Sequence, residues 1–86
     1  MTVHIPGALR SYTTQQSEVQ VNGLTLEEAL TALDRCFPGI RFRIITEQDQ
    51  IRPHIRIFVN EEQRHDLMTA LHPMDTVYIV CALSGG

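Results

Sequence analysis

The residues best placed to do chemistry stand at the end of the sequence, where Leu83 and Ser84 run into Gly85 and Gly86. Glycine has no Cβ and adopts backbone conformations closed to other residues, so a carboxylate carried on two glycines can follow a narrow channel into an enzyme's active site. Four or five extended residues, at ~3.3 Å each, reach roughly 15 Å, which is enough to enter a buried site. With average glycine usage of about 7%, two terminal glycines arise by chance in roughly one chain in two hundred. The weight of this ending therefore rests on its context. A frayed chain end is the ordinary alternative, and against it stands the apolar run just ahead, which reads as a core strand.

No other group of chemistry-bearing residues forms a comparable arrangement. His4, His54, His65 and His72 share no metal-ligand spacing such as HxxxH, so scattered surface histidines are expected and no metal site. Arg64-His65-Asp66 offers acid and base groups, but adjacent residues rarely converge on one substrate, and no serine or cysteine nucleophile lies nearby in sequence. Cys36 and Cys81 form no CxxC pair and follow no secretory leader, which favours reduced thiols over a disulfide. Cys81 shares strand parity with Val77 and Ile79 and reads as a small core hydrophobe. Cys36, at a helix end, reads as an inert thiol; the alternative is a persulfide acceptor, which would need a lowered pKa.

Length and composition bound the class. With 86 residues, 43% hydrophobic and 20% charged, the chain fits one small domain, able to bury about 60% of its unfolded surface. The net charge of −3 comes without a run of basic residues, which argues against nucleic acid as a partner. The longest apolar run, residues 77–83, falls far short of the ~20 residues needed to cross a bilayer, so no membrane association is expected. No charged leader with an apolar segment opens the sequence, and a cytoplasmic location is the expectation.

The elements that must carry the tail follow from periodicity and punctuation. Val3 and Ile5 alternate with Thr2 and His4, and Val19 and Val21 with Glu18 and Gln20, giving two short strands with one buried face each. A loop through Pro6-Gly7 and residues 13–16 joins them. After Asn22-Gly23, Thr25 with Glu28 makes a capping box. Leu26, Ala29, Leu30, Leu33 and Phe37 then form one face of an amphipathic helix that Pro38-Gly39 ends. Ile40, Ile44 and Ile45 suggest a further helical turn, and residues 46–53 a surface loop. Alternation returns with Ile55, Ile57 and Val59 facing one way and Arg56 and Phe58 the other, before a turn at Asn60-Glu61-Glu62. Residues 67–71 form a connecting segment of no clear type, and residues 76–82 the final strand. Two strands, a helix and further strands make an α+β chain, a β-grasp whose mixed sheet wraps one main helix, with first and last strands side by side at its centre.

The β-β-α-β-β order, the stretch Ile55-Arg56-Ile57-Phe58-Val59-Asn60-Glu61 before a turn, Met74-Asp75-Thr76-Val77 leading into the last strand, and the terminal diglycine together resemble the ubiquitin-like sulfur carriers of the ThiS/MoaD family. The resemblance spans the whole chain. The opening Val3-His4-Ile5-Pro6, with Leu9-Arg10 downstream and Phe58-Val59-Asn60 in the third strand, looks most like the carriers serving cysteine synthesis or specialised sulfur metabolites. Two departures stand out. Pro73-Met74-Asp75 replaces the family's more usual Asp-Gly-Asp, and Cys81-Ala82-Leu83-Ser84 lacks the prolines that many members carry before the glycines.

The resemblance implies residues 1–82 as a β-grasp domain and 83–86 as a flexible diglycine tail. It implies that Gly86, a poor electrophile as a carboxylate, is adenylated by an ATP-dependent, ubiquitin-activating-type adenylyltransferase. Sulfide equivalents from a sulfurtransferase then displace AMP to leave a thiocarboxylate, whose polarisable anionic sulfur is the better nucleophile. A sulfur-accepting biosynthetic enzyme, a sulfhydrylase or synthase, would align that sulfur with an electrophilic carbon. The product would be cysteine or another sulfur metabolite, the thiazole of thiamine, or molybdopterin. On this reading the protein is a co-substrate rather than an enzyme, a monomer when free, and binds no cofactor, ATP being used by its activating partner. The alternative within the same fold is a ubiquitin-like modifier joined through Gly86 to lysines of other proteins. A small enzyme or a plain binding module with an accidental ending is the third reading.

Strand parity supplies a second expected feature. If Val77 and Ile79 face the helix, Tyr78 and Val80 face away, as do Phe58 and Arg56 on the third strand. With Leu83 and Ser84 at the start of the tail, they would make a partner-binding patch rich in anchor residue types. The alternative is that loops cover these side chains or that Phe58 fills a second small core.

Overall fold

The structure is a computed structural model that describes residues 1–82. Leu83, Ser84, Gly85 and Gly86, on which the tail reading rests, lie outside the described residues.

Alternating apolar residues build five strands: β1 (Thr2–His4), β2 (Glu18–Gln20), β3 (Ile55–Val59), β4 (Glu62–Gln63) and β5 (Thr76–Cys81). They form one sheet in the order β2-β1-β5-β3-β4. β1 runs parallel to β5, and the β1/β2, β3/β4 and β3/β5 pairs are antiparallel. The first and last strands are thus central neighbours, as the sequence predicts. Val3, Val19, Ile55, Ile57, Val59, Val77 and Ile79 all face inward and are buried. Helix α1 (Leu26–Cys36) covers that face with Leu26, Ala29, Leu30 and Leu33, each 0% exposed. Burial of such a side chain contributes about 1.5–3 kcal/mol, so the register that places β5 against the helix is strongly fixed. This is the β-grasp architecture.

Both ends of α1 are held by side chains that the sequence supplies. Thr25 Oγ1 accepts from the Glu28 amide at 3.2 Å. The Glu28 carboxylate accepts from the Leu24 amide at 2.9 Å, one residue earlier than the reciprocal bond of a capping box. The amides of Leu26 and Glu27 donate to Thr69 O and Leu67 O at 3.0 and 2.8 Å. Segment 67–71, without clear type in the sequence, thereby satisfies two of the orphan donors at the helix start and buries Leu67 and Leu71 in the core. At the other end the chain turns through Gly39, at φ 100°, a conformation that favours glycine. Asp34 accepts from the Gly39 and Arg41 amides at 3.0 and 3.1 Å and so joins α1 to a short helix α2 (Ile40–Ile44). Ile40, Ile44 and Ile45 are fully buried beneath it.

Three expectations are corrected. The connection between β1 and β2 is no plain loop: Gly7–Tyr12 forms a 3₁₀ helix that buries Leu9, and Thr13 behind it is fully buried, its hydroxyl donating to Gln16 O at 2.8 Å. The turn after β3 leads into β4, a two-residue strand with both side chains exposed, so no burial pattern marks it. Phe37 and Cys81, placed in the apolar face by spacing, are only partly buried at its margins, because α1 and β5 both end there.

Candidate functional site

The sheet face turned away from α1 carries the side chains that parity sends outward. One continuous rung crosses it: Glu18 opposite His4, His4 opposite Tyr78, Tyr78 opposite Phe58, and Phe58 opposite Gln63. Along β5 the next outward residue is Val80, paired with Arg56. Tyr78 is 39% and Val80 42% exposed, while Phe58 and Arg56 are half-buried. The His4 and Tyr78 rings stack, with centroids 4.5 Å apart and planes 10° from parallel. Arg56 is tethered at the start of β3, donating from Nη1 to Pro53 O at 2.6 Å and to Ile55 O at 3.1 Å. The four side chains expected at a patch therefore do share one face, joined by His4, which sequence reasoning left among the scattered histidines. Its parity opposite Val3 was the available signal; its contact with Tyr78 depends on the parallel register.

A clamp fixes where β5 begins. Asn60, at φ 57°, donates its own amide to Thr76 O at 2.7 Å. Its side chain accepts from the Thr76 amide and donates to Asp75, both at 3.1 Å. The other Asp75 oxygen accepts from the His72 amide at 2.8 Å. These bonds hold the Asp75 carboxyl below its ordinary pKa, the His72 amide first and the Asn60 side chain second; desolvation opposes them, and the charge of the nearby His72 adds the least. The two sequence stretches that carry the family resemblance thus meet in space, and their meeting sets the register of the strand that leads to the tail.

The helix side of the same strand end is different. Cys81 pairs with Ile55 on the inward face and borders an open cleft of about 560 Å³ lined also by Leu9, Tyr12, Phe42, Arg43, Arg52 and His54. Burial pushes the Cys81 thiol up from its ordinary pKa, so it stays protonated near neutrality and is a poor nucleophile. Arg43 Nε donates to the Tyr12 hydroxyl at 2.5 Å. Arg52 Nε donates to Phe42 O at 2.7 Å, and its guanidinium lies 4.6 Å from the Phe42 ring centre. The sequence shows no basic run, yet the fold brings two arginines from separate segments to one cleft. The Ala82 amide donates to His54 O at 2.7 Å, tying the last described residue to that wall.

The remaining candidates do not converge. Cys36 is exposed at the end of α1. Arg64 pairs with Glu62 at 2.8 Å, and Asp66 caps a turn through the Met68 amide at 2.8 Å, so residues 64–66 serve local structure. Among the described residues no group of three His, Cys, Asp or Glu side chains is placed to hold a metal ion. No helix among them is long and apolar enough to cross a membrane.

Comparison with known proteins places this geometry. The sequence is 33% identical, over 91 aligned residues covering 100% of this chain and 98% of the relative, to the sulfur carrier protein CysO of Mycobacterium tuberculosis. A crystal structure of that Mycobacterium tuberculosis protein superposes with a TM-score of 0.90 at 31% identity, covering 95% of this chain and 98% of the other. A chain in the crystal structure of the Amycolatopsis orientalis BexX/CysO complex gives 0.92 at 30% identity, with 99% and 98% covered. The crystal structure of SAMP1 from Haloferax volcanii gives 0.79 at 25% identity, with 100% and 98% covered. The ThiS family pattern matches residues 3–86, the diglycine included, and the chain belongs to the ThiS family.

Proposed function

We propose that this protein is a sulfur carrier whose Gly86 is converted to a thiocarboxylate and delivers sulfur to a biosynthetic enzyme. The observation that carries the reading is the family match extending through the diglycine, supported by 33% identity over the whole chain to a relative named for sulfur carriage. In the first step the Gly86 carboxylate attacks the α-phosphate of ATP on a ubiquitin-activating-type adenylyltransferase, giving the acyl-adenylate and pyrophosphate. Hydrosulfide, released from a sulfurtransferase persulfide by a thiol reductant, then attacks the acyl carbon and AMP leaves. The thiocarboxylate that results presents a soft anionic sulfur at the end of a Cβ-free segment.

The body of the protein supplies orientation that free sulfide lacks. Tyr78 and Val80 on β5, with Phe58 and Arg56 on the neighbouring β3, offer an anchor-rich face, and we assign Leu83 and Ser84 to the same contact. The acceptor is a sulfhydrylase or synthase; the CysO relative seen in complex with BexX shows that such carriers are met by a partner protein. The protein itself is a co-substrate, and its place is the cytoplasm, where ATP and the activating enzyme are found.

A modifier reading, with Gly86 joined to lysines of other proteins, draws on the likeness to SAMP1, a small archaeal modifier protein. The two readings part at the nucleophile that intercepts the adenylate. Intact mass after incubation with the cognate adenylyltransferase, ATP and a sulfide source decides between them. Exchange of one oxygen for one sulfur at Gly86 supports the carrier; adenylation without sulfur, together with conjugates in extract, supports the modifier; an unaltered carboxylate overturns both.

A further inference from the structure

The cleft on the helix side of β5 has features that the carrier reading does not use. Arg43 and Arg52 are each fixed through Nε, to the Tyr12 hydroxyl and to Phe42 O, while neither has a hydrogen bond from its Nη groups among the described residues. Neither meets a carboxylate there, whereas Arg41 and Arg64 are paired with Glu27 and Glu62 at 2.7 and 2.8 Å. None of the chain's ten acidic residues lines the cleft. Phe42, 52% exposed, braces the Arg52 guanidinium, and His54 is exposed beside it. A guanidinium held in place with its outer nitrogens unused is pre-organised to receive a carboxylate bidentately.

We propose that Arg43 and Arg52 form a cationic docking cleft at the root of the tail that receives carboxylates on the rim of the activating enzyme's channel. The proposal deepens the carrier reading and rests on it. Ala82 is bonded to the cleft wall, and four residues beyond it reach Gly86, a span of at most about 14 Å. Entry of the tail into a channel therefore brings the cleft against the channel's mouth, not against the reacting carbonyl. Covering these arginines without acceptors would strand two charges in a desolvated contact, which costs several kcal/mol per ion. The fitting partner surface is hence acidic. The chain's overall charge of −3 disfavours a nucleic acid, whose long polyanion is repelled by a net-negative protein.

The test measures sulfur loading of Gly86 by intact mass with the organism's own adenylyltransferase, ATP and sulfide, varying carrier concentration and salt. Arg43→Glu/Arg52→Glu should raise the KM for the carrier about tenfold or more, with kcat little changed, as rim charges act on encounter. The wild-type KM should rise with salt from about 50 to about 300 mM, where screening shortens, and the variant's should not. Arg64→Gln, outside the cleft's lining and paired with Glu62, should match the wild type. Arg43→Gln/Arg52→Gln gives the same reading without repulsion should the double glutamate variant fail to fold. Wild type loaded with sulfur and both pairs unchanged in KM and salt response would overturn the cleft and leave the carrier intact. Wild type never loaded would overturn the carrier reading instead; direct titration against the adenylyltransferase would then support the cleft if the double variants lose salt-sensitive binding and overturn it if they do not. Salt-sensitive binding of a single-stranded RNA tighter than that of the enzyme would also overturn it.

Discussion

The two sides of β5 meet solvent in opposite ways. The open face centres on aromatic and apolar groups, Tyr78, Val80, Phe58 and His4, with Arg56 beside them, built from next-but-one residues on adjacent strands. The helix-side cleft is cationic and gathered from four separate segments, with Tyr12 from the 3₁₀ helix, Phe42 and Arg43 from α2, Arg52 and His54 from the following loop, and Cys81 from the strand end. A strand's side chains alternate by geometry, so one side can be read from any single strand. The other side exists only once tertiary packing has brought distant segments together. On the proposed reading, a partner that contacts both sides would grip the strand end in a defined rotation, which matters when a carboxylate must arrive at a reacting atom in one orientation.

The largest expected effect removes what both sides serve. Deleting Gly86 should abolish sulfur loading in the mass assay while leaving thermal unfolding essentially unchanged, because the buried core lies between Val3 and Ile79. A large drop in melting temperature would mean that the tail belongs to the folded domain and that the two faces are not its frame.

Neighbouring residues on β3 sharpen the contrast next. Ile57 is fully buried, and Ile57→Ala should cost about 2–5 kcal/mol of stability by urea unfolding. Phe58→Ala and Tyr78→Ala should cost less stability than that, but weaken binding to the adenylyltransferase by more than about 1 kcal/mol in calorimetric titration. Unaltered affinity in both would move the interface off the open face and leave the cleft as the principal contact.

How far each side was legible follows from the same physics. Strands β1, β2, β3 and β5, α1 and the α2 turn carry local signals: period-two alternation, Thr25 as cap, Pro38-Gly39 as stop. So do the outward positions of Tyr78, Val80, Phe58 and Arg56. The central pairing of β1 with β5 follows from the element order of a β-grasp. What escaped has no local signal. β4 is two exposed residues; segment 67–71 caps α1 through backbone carbonyls, which every residue carries whatever its side chain; and the His4–Tyr78 stack requires knowing a parallel register. Arg43 and Arg52 are nine positions apart, and no spacing rule joins them. Cys81 was read by parity alone, which gives the direction of a side chain but not the depth of the core beneath it.

A smaller effect should touch both sides equally. Asn60 holds Thr76 and Asp75 from a backbone at φ 57° that asparagine tolerates better than most residues. Asn60→Ala loses two side-chain bonds and keeps the strained backbone, for an expected cost of about 1–2 kcal/mol by urea unfolding. Since the clamp sets the start of β5, affinity through the open face and salt response through the cleft should change together. A change confined to one would mean that the two sides are positioned independently.

The smallest effect is electrostatic and appears only in acid. The folded Asp75 carboxyl sits below its ordinary value of 3.8, held there by the His72 amide and then by Asn60. A depressed folded pKa means that the unfolded chain binds this proton more tightly, so the contribution is present above about pH 4 and fades as pH falls through the folded value. Asp75→Asn keeps one carbonyl oxygen where the carboxylate used two, so it should be less stable than wild type near neutrality. As Asp75 itself protonates, the gap between the two proteins should narrow, and urea midpoints measured from neutral pH to below pH 3.8 would show it. A constant gap would mean that Asp75 contributes through shape alone, and that the register shared by the two faces of β5 is set by Asn60 and the buried side chains without help from charge.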